Sequence, residues 1–479
     1  MPTWLAAAVV LLAAWALLDR LLVPGVRWFL RRRVERALEE VNQRLQLRIQ
    51  PFKLTKRRVL IDRLVYDRQV VATAEETSSE EGAPREVVMA RVERYADEIV
   101  PAFNAYLYFR FGYWLGRNVA RTLYRVRVGV ADPKALMSVD RDATVVFVMN
   151  HRSNMDYVLV SYLAAERTAL SYAVGEWARI WPLETLIRSM GAYFVRRRSR
   201  NALYRKVLER YVGMASREGV TQAVYPEGGL SRDGRLQPPK LGLLDYMLRG
   251  FDREAHRDIV FVPVGINYDR VLEDRTLLLD TLDDAADRPG ALAALGTTLT
   301  FIGNNIGLWL SGRWHRFGYA CVNFGVPTSA RRFLEDRDLD LRTESRAERF
   351  ARIAELADEL MCSVGAVVPV TPVALVATAL VENEGRSLSE LELKGEVQGL
   401  IERLEEADAM VYIPRQDRDY AIGFGLQALA KRHLVVETDG LYGLNPDERP
   451  VIAYYANSIA HLLADRRTGT SQTAAPPST

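Results

Sequence analysis

Cysteine is nearly absent: only Cys321 and Cys362 occur in 479 residues, far apart and both in apolar surroundings. That argues against a disulfide framework or a metal site, and it fits a reducing compartment. A strong charge imbalance is missing as well. Lys and Arg number 64 against 61 Asp and Glu, a net charge of +3, so composition alone points to no particular partner. No internal repeat is visible. The N-terminus is unbroken apolar sequence from Trp4 to Leu18, continued beyond Asp19-Arg20 by Leu21-Leu22-Val23. No Lys or Arg precedes that run and no small-residue cleavage site follows, which argues against a cleaved signal peptide. It reaches spanning length if the Asp19–Arg20 pair lies at the interface; a monotopic helix is the alternative. Arg20, Arg27 and Arg31 to Arg33 follow it, so the positive-inside tendency leaves the body of the protein in the cytoplasm.

What is present is ordinary globular composition, 49% hydrophobic and 26% charged, on a chain long enough for two or three domains. The expected divisions are a membrane-anchor helix over 1–30, a helical N-terminal region over 31–122, an α/β region over 123–330, a helix-rich C-terminal region over 331–465, and a disordered tail over 466–479. Within the second, Thr73 to Arg85 is rich in Ser, Glu and Gly and predicts a mobile loop. Glu86 to Arg121 then predicts a helix whose aromatics (Tyr106, Tyr108, Phe109, Phe111, Tyr113, Trp114) suit either a membrane interface or the edge of a core. From Leu123 to Pro327 apolar strands alternate with helical segments, which predicts a mainly parallel sheet with flanking helices. Beyond Pro327 an amphipathic helix over Ser387 to Glu406 and a hairpin over His433 to Leu444 are expected. This part carries no dense basic face, so nucleic-acid binding is not expected.

The run from Ala143 to Met149 is rich in β-branched residues and apolar on both faces, and predicts a buried parallel strand. Directly after it come Asn150-His151-Arg152-Ser153-Asn154-Met155-Asp156. Ser153 with Asp156 resembles a capping box and predicts a helix starting near Ser153. His151 then stands at the carboxyl end of a strand, where open α/β sheets do their chemistry, and Asp156 can reach back to fix its tautomer. A His-x4-Asp spacing alone is a weak signal, since an Asp in a first helical turn also serves the helix dipole.

Three further segments fall at predicted strand ends. Gly191-Ala192-Tyr193-Phe194-Val195-Arg196-Arg197 ends in guanidinium groups. Tyr225 to Arg235 (YPEGGLSRDGR), with Lys240 beyond, offers glycines that let backbone amides approach an anion and cations that attract one. Val262 to Asp269 (VPVGINYD) offers an apolar strand end for a hydrophobic part of a substrate.

These four ordered segments resemble the motifs of the glycerolipid acyltransferases, most closely the membrane-bound glycerol-3-phosphate acyltransferases. Tyr157 after Asp156, the Arg196-Arg197 pair, the run from Ile266 to Arg270, Val322-Asn323-Phe324-Gly325 and Tyr454-Tyr455-Ala456-Asn457-Ser458 favour that branch. The resemblance implies a glycerolipid acyltransferase-like α/β fold. It implies transfer of a fatty acyl group from acyl-CoA or acyl carrier protein to the sn-1 hydroxyl of glycerol 3-phosphate, with no metal, no cofactor and no covalent acyl-enzyme. His151 is then the base and Asp156 its orienting acid. Arg196 or Arg197, Glu227, Gly228 and Arg232 would hold the glycerol phosphate, with Arg152, Ser153, Gly229, Ser231 and Lys240 also binding substrate and Pro263 lining the acyl or acceptor site. The implied location is the cytoplasmic face of a bacterial-type inner membrane, among phospholipids. The extra N-terminal segment of the longest members is not expected here. One departure stands out: the family usually has Arg where this chain has Leu230, so Arg232 or Arg197 takes over that contact, or the acceptor differs.

Overall fold

The computed structural model describes residues 51–104, 108, 112–164, 170–175, 183–196, 199–282 and 316–464. The expected anchor over 1–30, the tail over 466–479 and Arg197 lie outside these residues. Among the described residues no helix is long and apolar enough to cross a membrane.

An eight-stranded sheet organises the chain, with strands β1 (Arg125–Val130), β2 (Thr144–Met149), β3 (Ser171–Gly175), β4 (Tyr193–Val195), β5 (Gln222–Val224), β6 (Ile259–Tyr268), β7 (Tyr319–Phe324) and β8 (Thr328–Ser329). Their spatial order is β1-β7-β6-β2-β5-β3-β4, with β8 pairing to β6. All contacts from β6 through β2, β5 and β3 to β4 are parallel, while β7 runs antiparallel to β6 and carries β1 parallel to itself. The expected mainly parallel α/β sheet is therefore present. β2 lies at its centre, and its residues alternate between two cores. Val145, Phe147 and Met149 pack on one face and Val146 and Val148 on the other, as a doubly buried strand requires.

Helices α1 (Arg57–Val65), α2 (Arg68–Glu81) and α3 (Arg85–Ile99) cover one face, and α4 (Tyr113–Leu123) the other. Two expectations are corrected here. Thr73 to Glu81 is helix, not loop: Asp67 accepts from the amides of Gln69 and Val70, Val70 and Ala74 are buried, and Gly82 ends the helix at φ 63°. A good cap and a buried stripe override the weak propensity of Ser and Thr. The helix expected over Glu86 to Arg121 is broken after Ile99, where Val100 is extended before Pro101. Further helices follow at α5 (Met155–Ala164), α6 (Leu183–Ser189), α7 (Ala202–Arg217), α8 (Gly242–Leu248) and α9 (Asp274–Leu282).

The C-terminal region adds α10 (Arg346–Ala366), α11 (Pro372–Glu382), α12 (Glu390–Glu406), α13 (Arg418–Ala430), α14 (Arg449–Asn457) and α15 (Ala460–Leu463). A small sheet of β9 (Leu388–Ser389), β10 (Val435–Thr438) and β11 (Leu441–Leu444) contains the expected hairpin. These helices share the hydrophobic cores of the large sheet, α10 on one face and α11 to α14 on the other. Buried polar contacts pin them down. Asn267 donates to the carbonyl of Pro369 and to Ser458 Oγ, and Asn323 donates to Val367 O. Asp269 accepts from the amides of Tyr319 and Val373, the second at the start of α11. Gly265 allows the close approach of this segment: a Cβ there would lie 2.3 Å from Val367 O.

Gly265→Ala should therefore cost about 3 kcal/mol of unfolding free energy, measured by denaturant titration, because the backbone it meets cannot yield cheaply. Gly395→Ala, on an open helical face with nothing within 4 Å, should be neutral or stabilising.

Candidate active site

β2 ends at Met149, and Asn150 extends its pairing by one side chain. The carboxamide donates to Ile266 O at 2.9 Å and accepts from Ile266 N at 2.8 Å, so it replaces a strand residue against β6. This fixes the height at which the chain leaves the sheet. His151 comes next, 2% exposed, its ring stacked on Tyr225 at 4.1 Å between centroids and edge-on to Tyr157. Its Nδ1 lies 2.9 Å from Asp156 Oδ2. With Nδ1 engaged by a carboxylate, Nε2 is the nitrogen left for chemistry.

Asp156 is completely buried. Besides His151, its Oδ2 accepts from the amides of Arg152 and Ser153, at 2.7 and 3.0 Å, and its Oδ1 accepts from the Tyr268 hydroxyl at 2.6 Å. The expected helix start moves by two residues: Ser153 Oγ accepts from Met155 N rather than from Asp156 N, and α5 begins at Met155. Two further carboxylates complete the loop. Glu227 accepts from His151 N at 2.7 Å and from Gln237 N at 3.0 Å. Burial pushes it up to about 7, opposed by those two amides. Glu273 accepts from Ser153 Oγ, Asn154 N and Asn154 Nδ2, and burial raises its pKa too.

The other expected site residues are distributed as follows. Arg152 is 3% exposed, its guanidinium 4.7 Å above the Tyr454 ring and its Nη1 donating to Gly234 O. Ser153 has its hydroxyl engaged in both directions. Gly228, at φ 69°, lies beneath the stem of Lys240, whose Cδ would be 2.6 Å from a Cβ there. Lys240 and Arg232 are exposed, and Gly229 is half-buried. Ser231 is buried, donating from its amide to His151 O and from its hydroxyl to Arg235 O. Leu230 packs, partly buried, against the core.

Two of these differ from expectation in position. Arg196 directly follows β4, three strands from β2 and about 14 Å across the sheet. It is held there by Glu98 of α3 through two bonds of 2.8 and 2.6 Å and stacks on Tyr95 and Tyr204. Pro263 is not at a strand end. β6 continues for five residues beyond it, and Pro263 pairs with Val148 inside the sheet, where β6 changes partner from β8 to β7. A missing N–H is tolerated at such a junction. The residue that β6 does bring to the site is Tyr268. Its signal was available in the sequence: Val262, Val264, Ile266 and Tyr268 share one strand face by the period of two. Glu273 and Tyr225 left no comparable signal, because their roles depend on chain segments far apart in sequence.

Residues 132–267 match the family model described as "Acyltransferase", and residues 309–467 match that of the "Glycerol-3-phosphate acyltransferase C-terminal region". The "Glycerol-3-phosphate acyltransferase" of Aeromonas hydrophila is 28% identical over 438 residues, 88% of this chain and 52% of that protein. The protein of the same name from Pseudomonas paraeruginosa is 30% identical over 451 residues, 90% of this chain and 52% of its own length. The chain spans about half the length of the curated relatives it matches. A solved 1-acyl-sn-glycerophosphate (LPA) acyltransferase from Thermotoga maritima aligns with 54% of this chain and 80% of its own, at 16% identity and a TM-score of 0.31.

Glu227 generates a prediction about pH. Between the ordinary carboxylate range and about 7, the folded protein retains a proton that the unfolded chain has released, so the native state loses stability as pH rises through that window. Glu227→Gln cannot ionise and removes this contribution. The melting temperature of the parent minus that of the variant should fall between about pH 5 and about pH 7 and then level. A difference that stays flat would mean that Glu227 ionises as an exposed carboxylate does.

Proposed function

We propose that this chain, which belongs to the glycerol-3-phosphate acyltransferase family, transfers a fatty acyl group from a thioester to the sn-1 hydroxyl of glycerol 3-phosphate. The observation that carries the reading is the buried His151–Asp156 pair, 2.9 Å apart at the carboxyl end of β2. His151 Nε2 takes the hydroxyl proton as the oxygen attacks the thioester carbon. The C–S bond then breaks, and the departing thiolate recovers the proton from the imidazolium. Asp156 keeps the ring in the productive tautomer and stabilises its charged form, while Tyr268 holds Asp156 in place. Holding both substrates against one base supplies much of the acceleration by orientation.

The donor is acyl-CoA or acyl carrier protein, and the reaction begins phospholipid synthesis. The apolar run from Trp4 to Leu18, with basic residues only after it, supports an anchor helix in an inner membrane and a catalytic body on the cytoplasmic face. The product then emerges beside the bilayer that receives it. Gly228, Gly229, Ser231, Arg232 and Lys240 form the loop beside His151 and are proposed to contact the acceptor. Glu227 serves instead through the backbone, since both its oxygens accept amides. Leu230 favours a second reading. It packs against the core where the family usually has a guanidinium, and the acceptor is then lysophosphatidate or another hydroxyl compound.

Membranes carrying the protein should make lysophosphatidate from glycerol 3-phosphate and an acyl thioester, and His151→Ala should abolish this while the protein stays folded. Formation of phosphatidate from lysophosphatidate instead would establish the second reading. Asp156→Asn should lower kcat far more than it raises KM. Tyr268→Phe, which takes one hydrogen bond from a buried carboxylate, should lower kcat about tenfold to a hundredfold with KM nearly unchanged. Parental kcat in Tyr268→Phe would remove its positioning role.

A further inference from the structure

A dianionic acceptor beside three carboxylates needs a cation, and the amides from His151 to Asp156 at the start of α5 are already engaged. His151 N donates to Glu227, Arg152 N and Ser153 N to Asp156, Asn154 N to Glu273, Met155 N to Ser153 Oγ and Asp156 N to Ser153 O. The chain's own oxygens thus occupy the sites where a helix terminus would usually receive a phosphate. A side chain has to supply the contact instead.

Arg152 is in that position. Its guanidinium is buried, and one nitrogen, Nη1, donates to Gly234 O. Nε and Nη2 are enclosed and have no hydrogen-bond partner among the described residues. Leaving two charged donors buried and unpaired is costly, so a group absent from the chain is expected to meet them. Nε–H and Nη2–H also share one edge of the guanidinium and run parallel, which matches two oxygens of one oxyanion. The same edge grips a carboxylate twice elsewhere in this protein: Arg196 holds both oxygens of Glu98, and Arg449 both of Glu384.

The C-terminal region builds this seat. The Tyr454 ring lies under the guanidinium, and Asn457 Nδ2 donates to Asp233 O. Gly234, at φ 87°, passes so close that a Cβ would lie 2.0 Å from Tyr454 O. On α15, His461 is held below its ordinary pKa by burial and by the Arg152 charge, and its Nδ1 likewise has no partner among the described residues.

We propose that the Nε/Nη2 edge of Arg152, set against Tyr454, is the seat for the phosphate of the acceptor. This rests on the acyltransferase reading. In glycerol 3-phosphate the phosphate and the attacked hydroxyl are at the two ends of one three-carbon unit. Both ends must therefore be held close together, and His151 and Arg152 are consecutive. The seat is enclosed, so the Ser231–Lys240 loop has to part to admit an anion. The exposed Arg232, Arg235 and Lys240 put positive charge along that loop.

The test is binding of glycerol 3-phosphate and of glycerol to the purified full chain, by calorimetry and thermal shift, in parent and Arg152→Lys forms, followed by kinetics with each acceptor. Lys keeps the charge and loses the fork. The affinity for glycerol 3-phosphate should fall about tenfold to a hundredfold, and its KM should rise in step. The KM for the acyl donor should change far less, and the preference for glycerol 3-phosphate over glycerol should shrink in the variant. Should Arg152→Lys fail to fold, Tyr454→Leu, which removes the supporting ring, should weaken glycerol 3-phosphate binding selectively. Unchanged affinity for glycerol 3-phosphate, or equal loss with both acceptors, would overturn the seat. A parent that binds glycerol 3-phosphate through Arg152 without turnover would leave the seat standing and remove the acyltransferase reading.

Discussion

The site depends on satisfying the oxygens of one carboxyl group where water does not reach. A carboxyl group buried as completely as that of Asp156 is stable only if donors replace its hydration. It has four: the His151 imidazole, the amides of Arg152 and Ser153, and the Tyr268 hydroxyl. Three come from its own loop and follow from a sharp turn at the end of β2. The fourth comes from β6, so the neighbouring strand has to end at the right height. The carboxamide of Asn150 sets that height by pairing both ways with Ile266, two residues before Tyr268. A displacement of β6 would break the pairing and leave an oxygen of Asp156 unsatisfied at once.

This dependence reaches the C-terminal region. The residues flanking Tyr268 are committed there, Asn267 to Pro369 and Ser458, and Asp269 to the start of α11. Val271 N donates to the Tyr455 hydroxyl, which with Arg432 binds Asp274. The segment from Ile266 to Asp274 is thus a joint: one side chain turns to the buried Asp156 carboxylate and its neighbours turn to the C-terminal helices. Joining the two through buried polar groups in a shared apolar core makes separate movement expensive, because each broken contact would strand a donor or acceptor.

Much of this was legible in the sequence. Alternating apolar strands and amphipathic helices fall where the residue pattern puts them, and the His151–Asp156 contact follows from a strand end and a first helical turn. The misses share a cause, which is that local pattern does not report the partner. Thr73 to Glu81 looks like a loop until Asp67 caps it and α7 covers its buried side. Pro263 looks like a strand terminus, yet it falls at the one point where β6 exchanges β8 for β7. Arg196 looks like a ligand for an anion, and the anion it finds is Glu98, from a helix ninety-eight residues earlier. Glu227 looks like a substrate contact within a glycine-rich turn, and its oxygens are spent on two amides.

These reassignments narrow the source of positive charge for an anionic acceptor. Arg196 is compensated by Glu98, and Leu230 offers packing and no charge. Arg232 and Lys240 lie at the surface, where solvent weakens what a single ion pair contributes. Arg152 differs in being buried, with its hydrogen bond going to a carbonyl and its face to an aromatic ring, while Glu227 lies close enough to feel its charge. Tyr454 and Asn457 provide or brace that setting, so on the proposed reading the C-terminal region belongs to the substrate site as much as to the scaffold. Loss of Arg at position 230 is then tolerable in physical terms. In the proposed reaction, the charge desolvated with the phosphate comes from Arg152, the neighbour of His151, whatever the surface loop carries.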